Sequence, residues 1–440
     1  MTRLRIRRLL AGALVFTASA VAQRVVLVDI DGIRRDTFEH AYLEEKLPNF
    51  ARILGTVHDG QGFGTATWFE NATAVFPAIT MAGQASIFTG VPPSQHSVPG
   101  NQWYDRRTNR VIDYFSTTGM PCVYGVLLIS VSDCSGGFAN RHLEAPTIYE
   151  AATRAGKTST VVFNAYWKGA THAVLPTLEE VAGLVHNNVV DYEAFDVTMM
   201  DRALESVQRD GLPDLLTIYF IGVDGIGHLR GTSGQVSYLS GTVDGQFGRL
   251  LDALELADPQ WRTNTQFVIT SDHGRTDSPA TPGDAQIEGE MRAAIEGCGF
   301  TPEQYRIVEN GGVVHVYLRS RLEHTAVVAT ALSHGELTEA VAYRTGGPYT
   351  LVGKQDPKLA AMLSMLDSPK AGDVLVLLKQ GHYFGNTSEE GAQHGSMFAS
   401  DMEVPLVVAL GGAPGGRSPV AMSIMDVPKI VAAALGFSLQ

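Results

Sequence analysis

The feature that most restricts this chain is a set of short, almost unbroken apolar runs, each bordered by acidic or imidazole side chains. Arg24–Ile30 (RVVLVDI) is rich in β-branched residues and interrupted only by Asp29. Thr158–Phe163 (TSTVVF), Leu215–Ile221 (LLTIYFI), Thr265–Thr270 (TQFVIT) and Val404–Leu410 (VPLVVAL) repeat the pattern. A strand that is apolar at nearly every position is buried on both faces, the situation of a parallel sheet. Stretches of helical character separate the runs, around Phe38–Leu54, Thr147–Ala155, Thr198–Asp210 and Tyr238–Leu256. A last helix is opened by Asp426 and Pro428. This alternation predicts an α/β fold, an α/β/α sandwich with a mostly parallel central sheet. The rhythm fails between Thr276 and about Glu390, where only short strands such as Val313–Leu318 and Val374–Leu378 stand out. That predicts a smaller inserted subdomain over 277–390, with 23–276 and 391–440 forming the core.

Residues 1–22 are set apart from the fold. Arg3, Arg5, Arg7 and Arg8 precede an apolar stretch over Leu9–Ala22, which ends in small residues. This is the pattern of a cleaved secretory signal, and the stretch is short for a membrane anchor. The expected product is exported, periplasmic or secreted, with no stable membrane span. A hydrophobic share of 45% and a charged share of 18% suit a folded globular chain. The net charge of −13 argues against a nucleic-acid polymer as partner. Of three cysteines, Cys122 and Cys134 either clasp a local loop or stay reduced, and Cys298 is left over in both cases.

In open α/β sheets function gathers at the carboxyl ends of strands. Asp31-Gly32 follows the first run, Asp224 and His228 (DGIGH) follow the third, and Asp272-His273 (SDHG) follows the fourth. His394 (QHG) precedes the last. One such Asp-Gly is ordinarily a turn, and one such histidine is ordinarily structural. Three aspartates and three histidines at strand ends together form the donor set for two zinc ions. Thr80 lies where a loop passes into a helix after Pro77, in FPAITMAGQASIFTG. It reads either as a simple cap or as a hydroxyl nucleophile at a phosphate-favouring helix N-terminus.

These residues, in the chain order DG, T-x9-G, D-x3-H, SDHG and HG, resemble the alkaline phosphatase superfamily. Within it the nucleotide pyrophosphatase/phosphodiesterase (type I phosphodiesterase) branch is the nearest likeness, running from Arg24 to about Gly436. Pro92–Asp105 (PPSQHSVPGNQWYD) resembles that family's segment after the nucleophile helix. The resemblance implies an alkaline-phosphatase-like core and a two-zinc phosphoester hydrolase acting on a small-molecule phosphoester. Asp224, His228 and His394 would hold one zinc; Asp31, Asp272, His273 and the Thr80 hydroxyl would hold the other. Thr80 would be the nucleophile that forms a phospho-enzyme, Asn101 a donor to a phosphate oxygen, and Tyr219 a lining residue of the leaving-group pocket. Met81-Ala82-Gly83 departs from the diesterases' Phe-Pro-Asn after the nucleophile. Ala82–Gly90 and Asn101–Tyr104 are similar to a periplasmic monoesterase of the same superfamily. That enzyme has a lysine and an arginine on the phosphate, of which Asn164–Gly169 (NAYWKG) supplies only Lys168. The expected activity is therefore phosphodiester or pyrophosphate hydrolysis, with a phosphomonoesterase as rival and a non-catalytic phosphate-binding pseudoenzyme as a remote alternative.

Overall fold

The computed structural model describes residues 23–58, 60–115, 136–177, 179–180, 185–186, 189–278, 283–385, 390–411 and 413–439. The expected leader over 1–22 and both Cys122 and Cys134 lie outside them, and Cys298 is unpaired among the described residues. No helix of the described residues is long and apolar enough to cross a membrane.

The apolar runs form the middle of an eight-stranded sheet. Across it the strands are ordered Gly416–Ser423, Thr67–Thr73, Leu406–Leu410, Thr265–Thr270, Arg24–Ile30, Leu215–Phe220, Ser159–Val162 and His172–Val174. Arg24–Ile30 pairs in parallel with Thr265–Thr270 on one side and with Leu215–Phe220 on the other. Leu406–Leu410 runs antiparallel to both its neighbours, so the sheet is mostly parallel, as expected. Every residue of Leu215–Phe220 and Thr265–Thr270 is buried, which is the reason for their unbroken apolarity.

Two groups of helices cover the sheet. Thr80–Thr89, Ile148–Arg154 and Val427–Leu435 pack on one another, and the last also packs on Arg24–Ile30. Pro48–Leu54, Tyr192–Asp210 and the long helical stretch from Gly222 to Ala257 form the other group. The expected helix around Phe38–Leu54 is two helices, Arg35–Leu43 and Pro48–Leu54. The break falls where Glu45 adopts a left-handed φ of 59° and Pro48 starts a new first turn. Three strands of this sheet went unread in the sequence. Thr67–Thr73 and Gly416–Ser423 alternate or expose their side chains, and His172–Val174 closes the opposite edge, so none needs a continuous apolar run.

Residues 305–378 build a second, five-stranded antiparallel sheet with its own apolar cluster, to which the Asp284–Gly297 and Thr325–Leu332 helices contribute Ile287, Met291, Ile295, Val328 and Leu332. Its first hairpin turn, Asn310 to Val313, reaches back to Gln102 in a small two-stranded sheet formed by Gln102–Asp105 and Arg110–Asp113.

Candidate metal and phosphoester site

Three parallel strands deliver the site because they end level with one another: Ile30 lies beside Phe220, and Asp29 beside Thr270. The next residues of each chain segment are therefore neighbours. Asp31 follows the first strand directly. The helix Gly222–Tyr238 opens straight after the second and carries Asp224 and His228 one turn apart, on one face. Ser271, Asp272 and His273 follow the third. His394 comes from a loop whose preceding residues, Ala392–Gln393, pair with Thr276–Asp277. That pairing ties the His394 loop to the exit of the SDHG segment, and the His273 and His394 rings stack with centroids 3.9 Å apart.

Two groups of donor atoms result, each within 4.8 Å: Asp224, His228 and His394, and Asp31, Asp224 and His273. The first trio is the one expected from sequence. The second differs from expectation, since it draws in Asp224 and omits Asp272. The free Asp272 oxygen, Oδ2, nevertheless stands 3.8 Å from His273 Nε2. Asp272 Oδ1 is committed to the backbone N–H groups of Gly32 and His273.

His273 Nε2 is the centre of this second group. Asp31 Oδ1 lies 3.4 Å away and Thr80 Oγ1 3.1 Å away. His273 Nδ1 is 2.8 Å from the Gly274 carbonyl oxygen, so Nδ1 carries the proton and Nε2 presents its lone pair. Thr80 is the first residue of the helix Thr80–Thr89 and is buried. The helix can come so close because a Cβ on Gly83 would lie 2.5 Å from the Asp272 carbonyl oxygen. The Asn101 amide oxygen accepts from Met81 N–H at 2.9 Å, which leaves its NH2 end for another partner.

The two remaining candidates play other parts. Tyr219 is buried, and its hydroxyl donates to Asp31 Oδ2, so it braces a donor carboxylate instead of lining an open pocket. Lys168 is 44% exposed, with its ammonium 3.6 Å from Glu150. It is a surface ion pair, and the structure does not bring it to the cluster.

Three residues escaped the sequence reading. Arg275 is completely buried and donates through Nη2 to Asp224 Oδ1, while its Nε and Nη1 have no partner. Asp401 accepts from Thr276 Oγ1 at 2.7 Å and from Ser396 N–H at 2.9 Å, which joins the loops after His273 and His394. Asp196 accepts from Gly222 N–H at 3.1 Å and Tyr238 O–H at 2.9 Å, and so caps the helix that carries Asp224 and His228. Only Arg275 carried a signal: a charged residue directly after SDHG, inside a loop that has to be buried.

Burial governs the electrostatics. It raises Asp31 and Asp272 well above the usual carboxylate range, with neighbouring carboxylates adding to it. It pulls His228 down to about 4 and lowers His273 and His394. Arg275 falls to about 10 and is still a cation at neutral pH. Asp31 Oδ1 and Asp272 Oδ2 are buried without a hydrogen-bond partner. Unpartnered carboxylate oxygens facing neutral imidazole lone pairs are costly in a protein interior unless a cation joins them. The donor set therefore fits divalent metal, and its mixture of imidazole and carboxylate suits zinc.

The sequence profile of type I phosphodiesterase/nucleotide pyrophosphatase matches residues 25–398. Among curated proteins, the alkaline phosphatase PhoD of Zymomonas mobilis is 25% identical over 262 residues, a match spanning 52% of this chain and 43% of that protein. Among solved structures, murine ectonucleotide pyrophosphatase/phosphodiesterase 5, in an inactive form in complex with AMP, is 18% identical with a TM-score of 0.65. That superposition covers 95% of this chain and 96% of the murine one. The alkaline phosphatase PafA is 16% identical with a TM-score of 0.71, covering 96% of this chain and 97% of the other. At these identities the structural likeness is one of fold.

Proposed function

Since the chain belongs to the type I phosphodiesterase/nucleotide pyrophosphatase family, we propose that it hydrolyses phosphodiester or pyrophosphate bonds of small molecules with Thr80 as nucleophile. One observation carries the reading: Thr80 Oγ1 stands 3.1 Å from His273 Nε2, inside the donor cluster and at the start of a helix. Asp224, His228 and His394 would hold one zinc and Asp31, Asp272 and His273 the other. Bound there, the pair would supply Lewis acidity to the attacking and leaving oxygens.

The residues of the chain do the rest. The first-turn N–H groups and the dipole of Thr80–Thr89 favour negative charge at Thr80 Oγ. The hydroxyl oxygen gives up its proton to solvent and attacks phosphorus in line, the P–O bond to the leaving group breaks, the expelled oxygen takes up a proton from solvent, and phosphothreonine forms. Water then attacks that phosphorus, and the Thr80 oxygen leaves and regains its proton. Asn101, anchored through Oδ1 on Met81 N–H, would donate from Nδ2 to a non-bridging phosphate oxygen. Tyr219 holds Asp31 in place from behind.

A second reading, phosphomonoester hydrolysis, is favoured by the likeness to the alkaline phosphatases PafA and PhoD. A monoester dianion carries one more charge and gains from a cation at the phosphate. The only cation suggested by sequence, Lys168, is engaged with Glu150, which supports the diester. Turnover of bis-p-nitrophenyl phosphate against p-nitrophenyl phosphate on one metal-loaded preparation tests this; a faster monoester overturns the preference. Complete chelation should abolish both activities, and zinc should restore them better than magnesium. Export rests on the Met1–Ala22 leader alone, and the division of the chain at 277–390 on the second sheet lying wholly within that segment.

A further inference from the structure

The segment that flanks Asn101 is held by the second sheet. Asn310, at the end of the strand Tyr305–Asn310, is only 1% exposed and closes a two-way bond with Gln102. Its Oδ1 accepts from Gln102 N–H at 3.0 Å, and its Nδ2 donates to the Gln102 carbonyl at 3.0 Å. On the other side of Asn101, a Cβ added to Gly100 would lie 2.2 Å from Asn310 Oδ1, so the two residues touch. The carbonyl of Asn101 itself accepts from Tyr114 N–H at 3.1 Å. The backbone beside Asn101 is thus held by one buried amide, located 208 residues beyond Gln102.

The same turn also rests on the metal side. Gly312 N–H donates to the His394 carbonyl at 3.1 Å. Gly311 has φ +61°, and a Cβ there would lie 2.0 Å from that carbonyl oxygen. The turn therefore spans from the loop bearing Asn101 to the loop bearing His394. An amide side chain suits this task because one planar group matches the donor and the acceptor of a single peptide residue.

We propose that Asn310 is a positioning residue, which sets the place of the Asn101 amide against the phosphate and makes the second sheet part of the active site. This rests on the reading of Asn101 as a phosphate donor. The chain of contacts runs from Asn310 to the Gly100–Gln102 backbone and then to Asn101. Truncating the Asn310 side chain removes its bonds to Gln102 and should misplace the Asn101 donor, while the contact of the turn with His394 runs through the backbone of Gly311 and Gly312 and is kept.

The test is a double-mutant cycle on the zinc-loaded enzyme, with inorganic phosphate as probe and its inhibition constant as readout, alongside kcat/KM and zinc per chain. Asn101→Ala alone should raise the inhibition constant by roughly tenfold or more, about the worth of one hydrogen bond to a charged group. Asn310→Ala should raise it by roughly threefold to tenfold with zinc per chain unchanged. In the Asn101→Ala background, Asn310→Ala should add no more than about twofold, because its effect passes through the missing side chain. Should the alanine variant fail to fold, Asn310→Asp serves instead: it keeps the acceptor for Gln102 N–H and loses the donor to the Gln102 carbonyl. Fully additive effects would mean that Asn310 is structural only, and an unchanged constant in Asn310→Ala overturns the proposal outright. No effect from Asn101→Ala would overturn the phosphate-donor reading instead, so the two failures are distinguishable.

Discussion

Replacing Arg275 by methionine separates the charge of that residue from its bulk. The guanidinium is wholly buried and donates to Asp224, a carboxylate shared by both donor groups. It fits against the helix because Gly227 has no side chain: a Cβ there would lie 1.9 Å from Arg275 Nη1. In metal-free protein it is the cation in direct contact with the cluster. Removing one partner of a buried ion pair costs about 3–5 kcal/mol. With an unfolding entropy near ~2.1 cal/mol/K per residue, a chain of this length converts that to a fall of about 3–6 °C in Tm. In the metal-loaded enzyme, two divalent ions already compensate the carboxylates, and the positive charge of Arg275 is partly redundant or opposed. The loss there should shrink to about 1 °C, the share of packing alone. Scanning calorimetry of wild type and Arg275→Met, each with and without zinc, reads both differences. The stabilisation conferred by zinc should thus be larger in the variant than in wild type. An equal or larger fall in the loaded pair would refute the argument, because the arginine would then be contributing contacts and not charge.

Further outcomes are equally specific. Thr80→Ala should cut turnover on the order of a thousandfold or more, with little change in Tm, whereas Thr80→Ser keeps part of the activity; both are read from initial rates and melting curves. Lys168→Ala should change monoester and diester turnover by less than about twofold, since the exposed lysine pairs with Glu150. Asp196 is raised to about 7 by burial, although it accepts from Tyr238 O–H and from the N–H groups of Gly222 and Ile221. Between the unfolded carboxylate value and about pH 7 the folded state holds the extra proton, so this group makes stability fall as pH rises through that window and adds no slope above it. Asp196→Asn should therefore flatten the decline in urea-unfolding stability between about pH 4 and 7, the window between the unfolded and the folded carboxylate values; an unchanged slope would exclude Asp196 as its source.

The central sheet was legible because its strands are buried on both faces, and only unbroken apolar runs such as Leu215–Phe220 satisfy that demand. The donor residues were legible for a related reason. Each lies a few positions beyond such a run or in a glycine-flanked loop, so sequence proximity to a strand end already fixes the edge of the sheet on which it emerges. Direction and partners were not legible in this way. Tyr219 shares a strand with readable core residues, but that its hydroxyl meets Asp31 depends on a pairing across 188 positions. Lys168 and Glu150 come together only through the packing of a loop on a helix. Asn310 holds the backbone beside Asn101 across 208 positions. The short-range periodicity of apolar side chains determined which segments are buried and where their ends lie. The tertiary structure decided what each polar group touches, because a hydrogen bond forms only where long-range strand register brings donor and acceptor to about 3 Å.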